Sequence, residues 1–252
     1  MTEATSLPSA ATVYYFPETL KIDETVGAFY GELLRGMTHK LNNNLAVIQG
    51  FASLIMMNAG NNGAGFKDNI DHVKQAADSA KILNERILSA GGCVRVSPQA
   101  LSLSDYIPMV DRELRKPCES AGVPFHLNLA PGVPPVMVDS SRFREILVEL
   151  LKNAAEAVEG AGAGEVALDI LPSGQVPESI PGHVDVFVRN SGSTIAPGKF
   201  AEAFKPFTST KDTSHFGIGL TTVRALSSQM NLRVGAKSEN NTTTFWLSVP
   251  VA

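Results

Sequence analysis

Two long stretches of helical periodicity constrain this chain most. Apolar residues recur every three or four positions from about residue 24 to 58 and again from about 66 to 90. Between them Asn58-Ala-Gly-Asn-Asn-Gly-Ala-Gly65 reads as a turn, so the pair is expected to form a long helical hairpin. On the first helix Leu34, Met37, Leu41, Leu45, Ile48, Ala52 and Ile55 make one stripe. The second helix carries Phe66, Ile70, Val73, Ala77, Ala80 and Ile87 on a looser one. A lone hairpin cannot enclose both stripes, and pairing with a second copy into a four-helix bundle is the expected solution.

At roughly 100° per residue, His39 projects about 165° from the centre of its stripe, and Asn43 lies about 40° from His39. An exposed imidazole on a rigid helix is available as a nucleophile, whereas a histidine satisfied in a core would sit on the stripe.

The rest of the chain has a different character. Pro98 and the small residues around Gly91-Gly92 mark a linker. Beyond it the pattern predicts a helix over about 104–121, strands near 125–129 and 135–138, and a strong helix over about 140–159. Strands near 165–171 and 183–189, a helix over about 219–230 and a closing hairpin of 232–237 with 243–249 complete the reading. Residues 1–22 form a leader, expected to be flexible, with a short strand-like piece at Val13-Tyr-Tyr-Phe16. The expected domains are therefore this leader, a hairpin over 23–92 and an α/β unit over 100–252.

On the helix of residues 140–159, Phe143, Ile146, Leu147, Leu150, Leu151, Ala154 and Val158 share the core face, while Glu149, Asn153 and Glu156 share the opposite one. An amide flanked by carboxylates can hold Mg²⁺ through oxygen, although the same face also suits an ordinary solvated helix. Farther on, Phe216-Gly-Ile-Gly-Leu220 precedes a helix start, where glycines let backbone N–H groups approach phosphate oxygens. Lys205 and Lys211 supply nearby cations.

Composition removes several classes. With 44% hydrophobic residues and 18% charged ones in 252, the chain is ordinary for a globular protein. A net charge of −4 gives no broad basic field for nucleic acid. The apolar run from Leu45 to Met57 is interrupted by Gln49, Gly50 and Ser53 and is shorter than the roughly 20 residues a membrane span needs. Cys93 and Cys118 are too few for a disulfide framework, which fits a cytoplasmic location. The scattered histidines offer no metal spacing of the zinc type.

In their order, these segments resemble the catalytic core of two-component sensor histidine kinases. His39-Lys-Leu-Asn-Asn-Asn-Leu45 is similar to the family's H box and Glu149 to Ala157 to its N box. Arg189 to Ile195 falls where the Asp-x-Gly-x-Gly box should be, Phe204-Lys-Pro-Phe207 resembles the F box, and Phe216 to Leu220 resembles the second glycine box. Thr243 to Pro250 resembles the family's last strand.

The resemblance implies an α+β protein: a long helical hairpin forming a dimeric four-helix bundle, then an α/β-sandwich ATP-binding domain of the GHKL type. It implies ATP and Mg²⁺ as cofactors, a homodimer, and a response-regulator receiver domain as partner. His39 would be the phosphoacceptor and Asn43 would position water for phosphatase activity, and Glu149 is counted with these catalytic residues. Asn153 would be the Mg²⁺ ligand. Asn190, Gly192, Lys211, Gly217 and Gly219 would join it around the nucleotide.

Three departures from the family pattern bear on ATP use. Lys40 replaces the usual acidic neighbour of the histidine, Asn190 replaces the Asp that accepts the adenine amino proton, and Thr194 and His215 replace glycines. Two further readings follow from them. One is a histidine phosphotransferase with a degenerate ATP site, relaying phosphate without using ATP; the other is a regulatory ATP-binding module whose histidine is inert.

Overall fold

The computed structural model describes residues 14–16, 24–58, 64–192, 194–204 and 217–252. Helices α1 (Glu24–Asn58) and α2 (Ala64–Ala90) pack side by side as the expected hairpin. Strand β1 (Gln99–Leu101) and helix α3 (Leu103–Ser120) follow, then β2 (Phe125–Leu129), β3 (Val136–Val138) and α4 (Ser140–Ala161). Strands β4 (Val166–Pro172) and β5 (His183–Ser191) lead to a 3₁₀ turn at Pro197–Lys199 and the short helix α5 (Phe200–Ala203). Helix α6 (Gly219–Gln229) and strands β6 (Arg233–Glu239) and β7 (Thr242–Pro250) close the chain.

The hairpin seam is narrower than the sequence stripe. Thr38, Leu45 and Ala52 are buried on α1, and Ile70, Ala77 and Asn84 on α2, each set spaced by seven. Leu41, Ile48 and Ile55, expected on the same stripe as Leu45, remain 48%, 43% and 39% exposed. Val73 on α2 is also exposed. A single neighbouring helix covers only part of each stripe, so Leu41, Ile48, Ile55 and Val73 face outward. Sequence periodicity assigned neither Thr38 nor Asn84 to the seam, because it weighs apolar residues alone.

Five strands form one sheet in the order β2-β4-β5-β7-β6, with β2 parallel to β4 and the other pairs antiparallel. Residues of α3, α4 and α6 share the main core with one face of this sheet. Val184, Val186 and Val188 of β5 and Phe245, Leu247 and Val249 of β7 supply that face. Phe187 and Trp246 point the other way into a second, smaller cluster. Asp185 is buried beneath it, accepting from Trp246 Nε1 at 2.9 Å and from Ser179 Oγ at 2.7 Å.

β1 pairs with β3 in a separate two-stranded ribbon that the sequence did not reveal. Of the leader, residues 14–16 are described, within the expected strand-like piece. Tyr15 forms an isolated antiparallel bridge to Ala236 on the edge strand β6, which fixes residues 14–16 against the sheet.

Candidate functional site

Helix α4 positions the first half of the site. Its N-cap Asp139 accepts from the backbone N–H groups of Ser141 and Arg142, and Gly162 ends the helix in the left-handed region at φ 76°. Burial works to raise the Asp139 carboxyl, but hydrogen bonds from Ser141, Ser97 and Arg142 outweigh it and hold the group below its usual range. Eight residues from Phe143 to Val158 are buried, so the opposite face presents Glu149 and Asn153.

Those two side chains converge on the start of α6. A Cβ added at Gly219 would stand 2.8 Å from Glu149 Oε2 and 3.6 Å from Asn153 Nδ2. Only glycine fits there without displacing the carboxylate. Gly217, two residues earlier, turns the chain at φ 60°. Ile218 at the N-cap offers no side-chain cap, so among the described residues the first backbone N–H groups and positive dipole end of α6 suit an anion. Asn153 Nδ2 is buried with no hydrogen-bond partner.

Asn190 continues the row Val184, Val186, Val188 that faces the helices, since alternate strand residues share a face. It is 2% exposed, and its Nδ2 also has no hydrogen-bond partner. Buried donors of this kind cost about 1–3 kcal/mol when unsatisfied and mark places where a ligand acceptor belongs. Gly192, at φ 89°, gives its N–H to Asn241 O at 2.9 Å, and a Cβ there would come 2.2 Å from Ala163 O. This glycine locks the end of β5 against the loop that follows α4.

The donor set fits a nucleotide with its cation. Unpaired amides and the uncapped helix end await acceptor oxygens, while Glu149 and the carbonyl oxygen of Asn153 offer hard oxygen ligands. Among the described residues no three His, Cys, Asp or Glu side chains cluster as a metal centre by themselves. Such a cation would share its ligands with phosphate.

His39 lies in α1, and Asn43 one turn later is exposed. The side chains of His39 and Lys40 lie outside the described residues, as do Lys205, Lys211, His215 and the segment 205–207 of the expected F box. Thr194 is exposed.

Sequence periodicity did not find the ties between the hairpin and this site. Arg86 of α2 pairs with Glu149 Oε1 at 3.6 Å, and Gln229 Nε2 of α6 donates to Gly92 O at 2.8 Å and to Val94 O at 3.3 Å. Contacts between separate units leave no periodic trace, so neither residue could be selected from the sequence.

Known proteins agree with this geometry. Residues 138–252 match the family described as histidine kinase-, DNA gyrase B-, and HSP90-like ATPase. The chain is 27% identical over 228 residues to the sensory histidine kinase/phosphatase NtrB of Rhodobacter capsulatus, covering 86% of this chain and 61% of that protein. It therefore spans about three-fifths of that relative's length. Among solved structures, full-length ShkA in complex with AMPPNP has the same fold, with a TM-score of 0.70 and 22% identity over 88% of this chain and 46% of that one. Histidine kinase ThkA in complex with response regulator protein TrrA matches with a TM-score of 0.53 and 19% identity, covering 93% of this chain and 65% of that one. Residues 138–252 thus form a domain of the histidine kinase-, DNA gyrase B-, and HSP90-like ATPase type, and the chain as a whole resembles a sensor histidine kinase catalytic core.

Proposed function

We propose that this chain is an ATP-dependent protein histidine kinase of a two-component system, which phosphorylates His39 and passes the group to an aspartate of a receiver domain. The hairpin domain over 23–92 carries the acceptor and the domain over 100–252 binds the nucleotide. The observation that carries the proposal is the convergence of Glu149, Asn153 and Gly219 at the uncapped start of α6. That arrangement joins a cation site to an anion site, as phosphoryl transfer requires.

When bound, ATP supplies the phosphoryl group and Mg²⁺ spreads its charge. Asn153 would hold the cation through its carbonyl oxygen while its buried amide, lacking any protein partner, donates to a phosphate oxygen. Gly217 and Gly219 let the backbone at the α6 N-terminus approach phosphate closely, and Lys211 adds a cation. Asn190 presents both a donor and an acceptor, which match the adenine ring nitrogen and amino group as a pair. Glu149 stands beside the phosphates, where Arg86 fixes its carboxylate in the present arrangement. Asn43, one turn after His39 and exposed, would orient the attacking water for phosphatase activity, in which a phosphoryl group is released as inorganic phosphate.

The outward residues Leu41, Ile48, Ile55 and Val73 support a homodimer, because a second hairpin would cover them and complete a four-helix bundle. The receiver domain is proposed by likeness to the kinase solved with its response regulator. No helix among the described residues is long and apolar enough to cross a membrane.

Calorimetric titration with ATP and Mg²⁺ tests the site. The wild type is expected to bind, and Asn153→Ala to lose at least about tenfold in affinity, the equivalent of one charge-assisted contact. If the wild type binds no nucleotide yet His39 accepts phosphate from a phosphorylated receiver domain, the chain is a relay protein and the proposal fails.

A further inference from the structure

Edge strand β6 carries a docking site for an extended aromatic segment, and the leader occupies it. Tyr15 N–H donates to Ala236 O at 2.7 Å, and Ala236 N–H donates back to Tyr15 O at 2.9 Å. The flanking side chains point to opposite faces, as strand geometry dictates. Tyr14 and Phe16 lie on the outer face with ring centroids 5.4 and 5.8 Å from Trp246, and Tyr14 is buried with Trp246 and Phe187. Arg233 lies 3.8 Å above the Phe16 ring and Lys237 5.0 Å from the Tyr14 ring.

Gly235 identifies this groove as built. A Cβ there would meet Phe16 Cε1 at 2.9 Å, Trp246 Cε3 at 3.1 Å and Tyr14 Cδ1 at 3.2 Å. Glycine inside a strand otherwise weakens it, and marks a place where another segment comes close.

Tyr15 reaches the opposite face. Its ring stacks on Phe200 at 5.9 Å and tilts against Phe204 at 6.1 Å, the two phenylalanines of the α5 turn that opens the F-box region. One side chain of the leader thus packs on the aromatic pair just before residue 205.

We propose that Tyr14-Tyr15-Phe16 is a detachable strap that ties the nucleotide-binding domain to the start of the hairpin and restrains its travel along it. Eight Cα steps separate Phe16 from Glu24, so a docked strap keeps the β6 edge within about 29 Å of the start of α1. His39 lies about 22 Å along that helix. Gln229 and Arg86 hold the same domain against α2 and its exit, and the strap makes that arrangement harder to leave. Release frees the domain to move, which speeds phosphorylation of His39. This last consequence rests on the kinase reading, whereas the docking does not.

Hydrogen exchange of the whole chain, read by mass spectrometry, decides the docking. Peptides covering 233–239 and 200–204 are expected to exchange at least tenfold faster in Gly235→Ala, with β5 unchanged. The double variant Tyr14→Ser/Phe16→Ser, which leaves β6 itself intact, is expected to do the same. Unprotected exchange at Ala236 in the wild type, or protection unchanged in the double variant, overturns the strap. A ten-residue Gly-Ser insertion after Pro17 separates docking from restraint. It is expected to keep Ala236 protected and to raise the initial rate of His39 labelling by labelled ATP severalfold, as the double variant does. A rate unchanged or lowered by the insertion overturns the restraint. Complete absence of label in the wild type counts against the kinase reading, and the exchange data still decide the strap.

Discussion

Asn84 illustrates what single residues contribute. It is buried in the seam between α1 and α2, and its Nδ2 donates at 3.1 Å to the carbonyl of Thr38, the residue before His39. A buried amide in a helix seam fixes helix register, here at the level of His39. Asn84→Ala is expected to lower unfolding free energy by about 1–2 kcal/mol in urea titration. Cys118 gives a second check. Burial pushes its thiol up to about 11, so alkylation at pH 8 should leave it intact in the folded chain and modify it once urea unfolds α3. The side chains that converge on the start of α6 were legible as candidates because helix geometry separates Glu149 and Asn153 from the core face, and turn glycines announce themselves. Thr38 and Asn84 were not, since their polarity reads as an interruption of the stripe they complete.

At the scale of elements, α4 depends on its cap. Asp139 receives hydrogen bonds from Ser97, Ser141 and Arg142, which lower its carboxyl in the folded chain. A group depressed on folding stabilises above its unfolded value and loses that contribution as pH falls through the folded one. Asp139→Ala should therefore cost about 0.5–2 kcal/mol at pH 7. The difference from wild type should shrink as pH falls below about 4, where the unfolded carboxyl titrates; guanidinium unfolding across that range checks it. Helices and strands were nearly all visible from periodicity, β5 and β7 most plainly because they are buried on both faces. β1 escaped notice because three half-exposed residues carry no pattern of their own and take their conformation from pairing with β3. The strand-like character of Tyr14 to Phe16 was visible, but the place of its pairing was not: an edge strand accepts any extended segment, and only Gly235 within β6 marks the spot.

For the whole molecule, the exposed row Leu41, Ile48 and Ile55 sets the expectation of a dimer. Sedimentation should give a dimer for the wild type at micromolar concentration. Ile48→Lys should give a monomer that stays folded, because the residue is already 43% exposed in the single chain. A wild-type monomer would contradict the bundle. In the proposed scheme pairing and phosphotransfer meet at His39, where the sequence departs from the family pattern at Lys40. Lys40 stands in place of the usual acid and cannot take the imidazole proton at neutral pH, and with Arg35, one turn before His39, it adds positive charge better suited to attracting phosphoryl oxygens. Incubation of the purified chain with γ-labelled ATP and Mg²⁺, followed by separation under alkaline conditions that preserve phosphohistidine, tests the kinase directly. Label on the wild type, absent from His39→Ala and strongly reduced in Asn153→Ala, is the expected result; an unlabelled wild type, or a His39→Ala variant labelled as well as the wild type, would contradict it.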